Sequence, residues 1–243
     1  MKFSCFLLIA ALGIGCSTDK EQDLTITLQD AIDGKQIERD NVIACAASNK
    51  NDDLVSVFFY PRDRASNIQY FETQDSTVDK NDFDSYFPVV ASEIDVFNGY
   101  LKKFEVSVTD EKWVIVSFEE DGKTHLSNPI RLKQNTKPTE YLPQNVSVDT
   151  ANTTMPIFSW QDGNYADTKI YFQVVSDDRN DLISGTYTFE RQFQFYNTEN
   201  VVLNITKGTP SALKTDTRYG FTLLAVSEDN WVNLFSEIDF QLN

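Results

Sequence analysis

Histidine occurs once in this chain of 243 residues, cysteine three times, proline seven times and glycine nine times. The lone histidine, His125, cannot assemble an imidazole-based zinc site, and it sits far from any Gly-x-Ser-x-Gly elbow, a motif the chain lacks. Triad chemistry needs a base beside a serine or cysteine, and none is evident. Positive charge is also short: 21 Lys and Arg stand against 37 Asp and Glu, a formal net charge of −16. That balance argues against nucleic-acid binding, which needs a basic surface for phosphates. It equally disfavours electrostatic adsorption to anionic lipid. Long apolar runs are missing too. The best, residues 3–14, is too short to cross a bilayer comfortably. Acid-dense stretches occur at 79–84 and 177–181, but neither has the central glycine and terminal glutamate of a calcium loop, so both read as solvated loops. With so many carboxylates some pair falls at glycosidase spacing by chance, and spacing alone carries no argument. No catalytic residue, metal ligand or cofactor is assigned, and an enzyme is not expected.

What is present begins at the N-terminus. Lys2 precedes the apolar run, and Gly15 precedes Cys16. This is the layout of a cleavable secretory signal. Its end resembles the lipobox of bacterial lipoproteins, with Gly13 where that family usually has leucine and Leu12 one place further out. The resemblance implies a signal peptide over 1–15, cleavage before Cys16, and a lipid anchor on the Cys16 thiol that holds the protein at a membrane. Residues 16–23 are then a polar, acidic tether. Its acidity resembles the export tag of outer-membrane lipoproteins that face the cell exterior, which implies that location here. With Cys5 removed and Cys16 lipidated, Cys45 stands alone, so no intramolecular disulfide is expected. It lies in the short apolar run 41–47 and reads as a buried structural thiol.

Eighteen Phe, ten Tyr and three Trp are spread over short β-branched and aromatic runs separated by polar turns, without sustained helical periodicity. The expected class is all-β. The polar segment 133–143 contains a proline and marks a boundary between two modules, 24–132 and 144–243. In the second module, Met155–Trp160 reads as a strand ending in a buried Trp160. Tyr219, Phe221, Leu223 and Ala225 share one face of a later strand. Leu213, Thr217, Tyr219 and the alternation to Val226 resemble the fibronectin type III pattern, with Thr215-Asp216 in place of its usual Pro-Gly. The resemblance implies two tandem immunoglobulin-like (fibronectin type III-like) β-sandwiches, the first diverged, with Tyr219 as a corner tyrosine bonded back to nearby backbone. In the first module, Asp121-Gly122 is a hairpin turn. The stretch 72–87 shows no regular pattern and reads as an acidic loop or short irregular helix.

In such a sandwich the loops 161–167 and 227–233 meet at one end. Asn164, Tyr165, Asp229, Asn230 and Trp231 therefore form a candidate binding tip, in which Trp231 is either an exposed anchor or a plug folded over the core. The functional expectation is a membrane-anchored interaction module or accessory subunit of an outer-membrane assembly, its partner an outer-membrane or secreted protein. The alternative is a carbohydrate-binding surface lipoprotein of a glycan-uptake system, with a polysaccharide ligand. Sandwich edges are a further candidate surface, because they can recruit a partner strand.

Overall fold

The computed structural model describes residues 26–151 and 154–242. The expected signal peptide, Cys16 and the expected acidic tether lie outside the described residues. The described chain opens with a short helix, Leu28–Ile32 (α1), closed by a capping box. The Asp30 N–H donates to the Thr27 hydroxyl, while the Asp30 carboxylate accepts from the Thr27 N–H at 2.9 Å. Leu28 and Ile32, four residues apart, share the buried face.

Ten strands follow: Ile37–Val42 (β1), Ala44–Ser48 (β2), Leu54–Phe59 (β3), Ser66–Glu72 (β4), Phe87–Val89 (β5), Glu93–Val96 (β6), Leu101–Ser107 (β7), Lys112–Glu120 (β8), Lys123–Ser127 (β9) and Ile130–Leu132 (β10). They form two sheets, β1-β9-β8-β4-β5 with β10 added to β8, and β2-β3-β7-β6. The β8–β9 turn places Asp121 and Gly122 at φ of 53° and 76°, the positive values that an Asp-Gly hairpin accommodates. Nine more strands complete the chain: Glu140–Tyr141 (β11), Val146–Asp149 (β12), Ile157–Trp160 (β13), Thr168–Ser176 (β14), Leu182–Thr188 (β15), Gln192–Gln194 (β16), Val201–Asn204 (β17), Arg218–Ser227 (β18) and Val232–Gln241 (β19). They form a third sheet, β11-β19-β18-β14-β15-β17, and a fourth, β12-β13-β16. The described chain is all-β, its strands arranged in four sheets.

The burial pattern shows how the sheets stack. Val55, Val57 and Phe59 of β3 meet Val114, Val116 and Phe118 of β8 between the first and second sheets. Phe158 and Trp160 of β13 meet Tyr171, Phe221 and Leu223 between the third and fourth. A further apolar layer lies between the second and third sheets, where Cys45, Ala47 and Phe58 face Phe172, Val174, Leu224 and Val226. The sandwiches are thus packed face to face rather than strung in series. Strand β14 explains this arrangement. Tyr171 and Val175 point into the second sandwich and Phe172 and Val174 point out of it, so both faces of the strand are apolar. A sheet that is apolar on both faces needs cover on both.

The stretch 72–87, expected as an acidic loop or short irregular helix, is largely irregular and holds a short 3-10 helix over Phe83–Ser85. Phe83 and Tyr86 pack with Leu28, Ile32, Ile115 and Leu126 on the outer face of the first sheet. The Tyr86 hydroxyl donates to the Lys80 carbonyl at 2.7 Å, and the Trp113 indole N–H donates to the Ser76 carbonyl at 3.3 Å. The segment is a folded cap: Asp79, Asp82 and Asp84 face water, and Phe83 and Tyr86 anchor it. His125 is likewise structural. It is buried on β9, with Nδ1 2.8 Å from Asn41 Oδ1.

Candidate functional site

The structure sets both predicted tip loops against the 129–140 segment, with Asn164 exposed, Tyr165, Asp229 and Asn230 half-buried and Trp231 buried. Trp231 is fully buried (0% exposed), and its ring packs in the core of the first sandwich, not the second to which its strand belongs. The reading of Trp231 as an exposed anchor is therefore corrected. It is a plug, seated in the neighbouring sandwich. The hairpin turn that carries it wedges between β2 and β10. The Ala46 N–H donates to the Asn230 carbonyl and the Arg131 N–H to the Asp229 carbonyl, each at 3.0 Å. Residues 229–231 thus continue hydrogen bonding on both sides of a gap that the first sandwich leaves open. The indole N–H donates to the Lys137 carbonyl at 2.7 Å. Asn230 adopts a positive φ of 60°, tolerable for asparagine, and its amide donates to the Pro129 carbonyl at 3.2 Å. Asp229 pairs with Lys133.

The other tip residues contact the segment between the sandwiches. The Tyr165 hydroxyl donates to the Pro138 carbonyl at 3.1 Å, and Lys137 Nζ lies 4.7 Å above the Tyr165 ring. The Asn164 backbone N–H donates to the Glu140 carboxylate at 2.7 Å, and its side-chain amide reaches the same carboxylate. Asp229, Asn230, Tyr165 and Asn164 are therefore occupied within the chain, and the proposed tip is part of a joint.

That joint has a buried polar seam. Ser48 and Thr139 bond reciprocally: the Ser48 N–H donates to Thr139 Oγ1 at 3.0 Å and the Thr139 N–H to Ser48 Oγ at 2.7 Å. The Thr139 hydroxyl also donates to the Val232 carbonyl at 2.8 Å, and the Tyr141 hydroxyl to the Ser48 carbonyl at 2.8 Å. One threonine therefore satisfies groups on both sandwiches, which fixes their relative position as well as their distance. Cys45 lies in the adjoining apolar layer. Burial alone pushes its thiol up to about 12, which keeps it protonated and unreactive at neutral pH. Trp160 and Tyr219 are both buried in the second core, and the Tyr219 hydroxyl accepts from the Lys214 N–H at 2.8 Å.

With the tip absorbed, the free surface lies elsewhere. Strand β17 ends the third sheet and pairs only with β15. Its residues, Val201 to Asn204, include no charge and no proline, and Val202 and Leu203 are 49% and 42% exposed. Three other sheet edges are guarded: β1 carries Glu38, Arg39 and Asp40, β5 carries Pro88, and β6 carries Glu93 and Asp95, whereas the short edge β16 (Gln192–Gln194) is uncharged like β17. Beside β17, Phe189 is 65% exposed. A polar cleft of about 330 Å³ adjoins it, lined by Glu190, Gln192, Gln194, Asn197, Glu199 and Asn200. Chemically, this flank offers backbone hydrogen-bonding groups, an apolar strip and two carboxylates. The sequence reading missed it. The run Val201-Val202-Leu203 was the available signal, but a sequence does not say which strands end a sheet. Among the described residues, no group of three His, Cys, Asp or Glu side chains is placed to hold a metal.

No protein-family model matches the chain, and no curated protein matches it. Among solved structures, the chain is similar to the crystal structure of chicken CNTN1 FN1–FN3 domains at 14% identity, over 86% of this chain and 68% of that one, with a TM-score of 0.31.

Proposed function

We propose that this chain is a lipid-anchored, non-catalytic interaction protein of the bacterial outer membrane, held by Cys16 with its sandwiches facing the cell exterior. It acts as an accessory subunit that binds an outer-membrane or secreted protein partner. The observation that carries the reading is the exposed, uncharged edge strand β17. An extended segment of the partner adds to that edge as a further strand, backbone to backbone, with apolar side chains over Val202, Leu203 and Phe189. The acidic balance of the chain, and Glu190 and Glu199 beside the edge, favour a segment that also carries Lys or Arg. The lipid anchor would raise the effective concentration of such an edge at the membrane.

The test is purification from membranes with the anchor intact and identification of what co-purifies. A defined protein should accompany the native chain. Leu203→Lys and Val202→Lys should lose it by at least tenfold, with unchanged circular dichroism and melting temperature. One observation favours a second reading. The amide- and acid-lined cleft next to exposed Phe189 has the donors, acceptors and ring that a polysaccharide ligand uses. If the chain purifies alone, yet is retarded in a polysaccharide affinity gel and Phe189→Ala abolishes the retardation, carbohydrate binding replaces strand addition.

A further inference from the structure

The layer between the two sandwiches is not completely filled. Near the end of the joint where β14 leads into β15, the second and third sheets leave a cavity of about 130 Å³. Phe58, Phe97, Phe172, Tyr187, Leu224 and Phe235 supply most of its wall, with the Cys45 thiol and the Thr222 hydroxyl among them. Phe58 and Phe97 come from the first sandwich, and Phe172, Tyr187, Leu224 and Phe235 from the second. The wall is firm: Phe172 and Tyr187 stack with centroids 4.4 Å apart, and the hairpin tip that carries Phe97 is latched by the Asn98 amide, which donates to Asp181 Oδ1 at 2.7 Å. Asn180 and Glu237, both exposed, line the side toward solvent.

We propose that this cavity is a binding site for a small, neutral, single-ring apolar molecule. Three observations set that class. Size comes first, because an apolar space close to 150 Å³ accommodates one benzene-sized ring. The lining comes second: the walls are mainly aromatic and aliphatic side chains, with Tyr60, Tyr187 and Thr222 supplying hydroxyls, which suits a hydrocarbon ring bearing at most one polar substituent. Charge comes third. Arg179 and Arg218 pair with Asp177 and Asp239 around a neighbouring surface hollow, but Asp178 there and Glu237 at the mouth leave a negative balance that disfavours a carboxylate of the same size. An empty space of this kind forfeits packing contacts on every wall, and a guest restores them. The site lies within the joint, so occupancy holds the two sandwiches together.

The test uses the full chain with toluene, benzyl alcohol and benzoate as probes. Toluene and benzyl alcohol at about ten times their dissociation constants should raise the melting temperature by about 3–5 °C, and benzoate should leave it unchanged. Cys45→Phe, which fills the space, should abolish the rise. Should that variant fail to fold, crystals of the native chain exposed to bromobenzene give the same answer, with bromine expected among Phe58, Phe172 and Phe235. No thermal shift with either neutral probe, a shift that persists in a folded Cys45→Phe variant, or bromine found only elsewhere overturns the assignment.

Discussion

Replacing Trp231 with alanine tests the joint directly, because the indole belongs by sequence to one sandwich and by packing to the other. The ring is fully buried among residues such as Ala46, Val57, Ile130 and Leu132 of the first sandwich. Truncating a buried Trp to Ala typically costs about 3–5 kcal/mol, from lost burial and the cavity left behind. The indole N–H bond to the Lys137 carbonyl goes as well. We take about 4 kcal/mol as the expected loss, a large part of the 5–15 kcal/mol typical of whole domains. For a chain of this length it corresponds to a fall in melting temperature of about 8–16 °C. Trp231→Phe keeps an aromatic ring but loses the N–H, so it should cost about 1–2 kcal/mol. Trp113 and the Trp231 ring lie in the first sandwich and Trp160 in the second, so urea unfolding followed by fluorescence in Trp113→Phe and Trp160→Phe backgrounds separates the signals of the two sandwiches. Both should unfold in one coincident transition in the native chain. In Trp231→Ala the Trp113 signal should move to lower urea first. A loss below about 1 kcal/mol, or a variant that keeps its stability but loses a binding partner, would falsify the plug and restore Trp231 as a recognition residue.

Other consequences follow from the same joint. Thr139→Ala removes the hydroxyl shared by the Ser48 N–H and the Val232 carbonyl and should lower stability by about 1–3 kcal/mol in thermal melts; an unchanged melting temperature would show that the seam is incidental. Residues 138–243 expressed alone would leave Phe172, Val174, Leu224 and Val226 uncovered. That fragment should self-associate or aggregate in size-exclusion chromatography, whereas a well-behaved monomer would contradict face-to-face packing. Stability should also respond to alkali through Cys45. Its pKa is raised on folding from 9.0 to about 12, so the folded state holds the proton more tightly than the unfolded one. The contribution is therefore complete below about pH 9 and is lost as pH rises toward 12. Urea midpoints measured from pH 7 to 11 should fall above pH 9 in the native chain and begin falling later in Cys45→Ala.

Much of the local structure was legible in the residues. The alternation of Tyr219, Phe221, Leu223 and Ala225 sets one face of β18, and Asp121-Gly122 sets the β8–β9 turn, because strand periodicity and turn sterics are properties of a few adjacent residues. Trp160 and Cys45 were readable as buried for the same reason: each lies in a short apolar run. The second faces of β14 and β18 were also written in the chain, as Phe172, Val174, Leu224 and Val226. What covers them was not, because a face that is apolar in sequence does not name its partner.

The sequence by itself determined an acidic, aromatic-rich, all-β chain with short strands and turn-forming dipeptides. These follow from composition and from intervals of a few residues, over which backbone geometry is nearly fixed. Only the tertiary structure decided that Trp231 plugs a neighbouring core, that 72–87 is a cap, and that β17 ends its sheet with Val202 and Leu203 exposed. Each depends on contacts between residues far apart in the chain, such as Ala46 with Asn230 and Ser48 with Thr139. Such contacts are selected by the competition among apolar faces for cover, which is a property of the whole chain rather than of any one stretch.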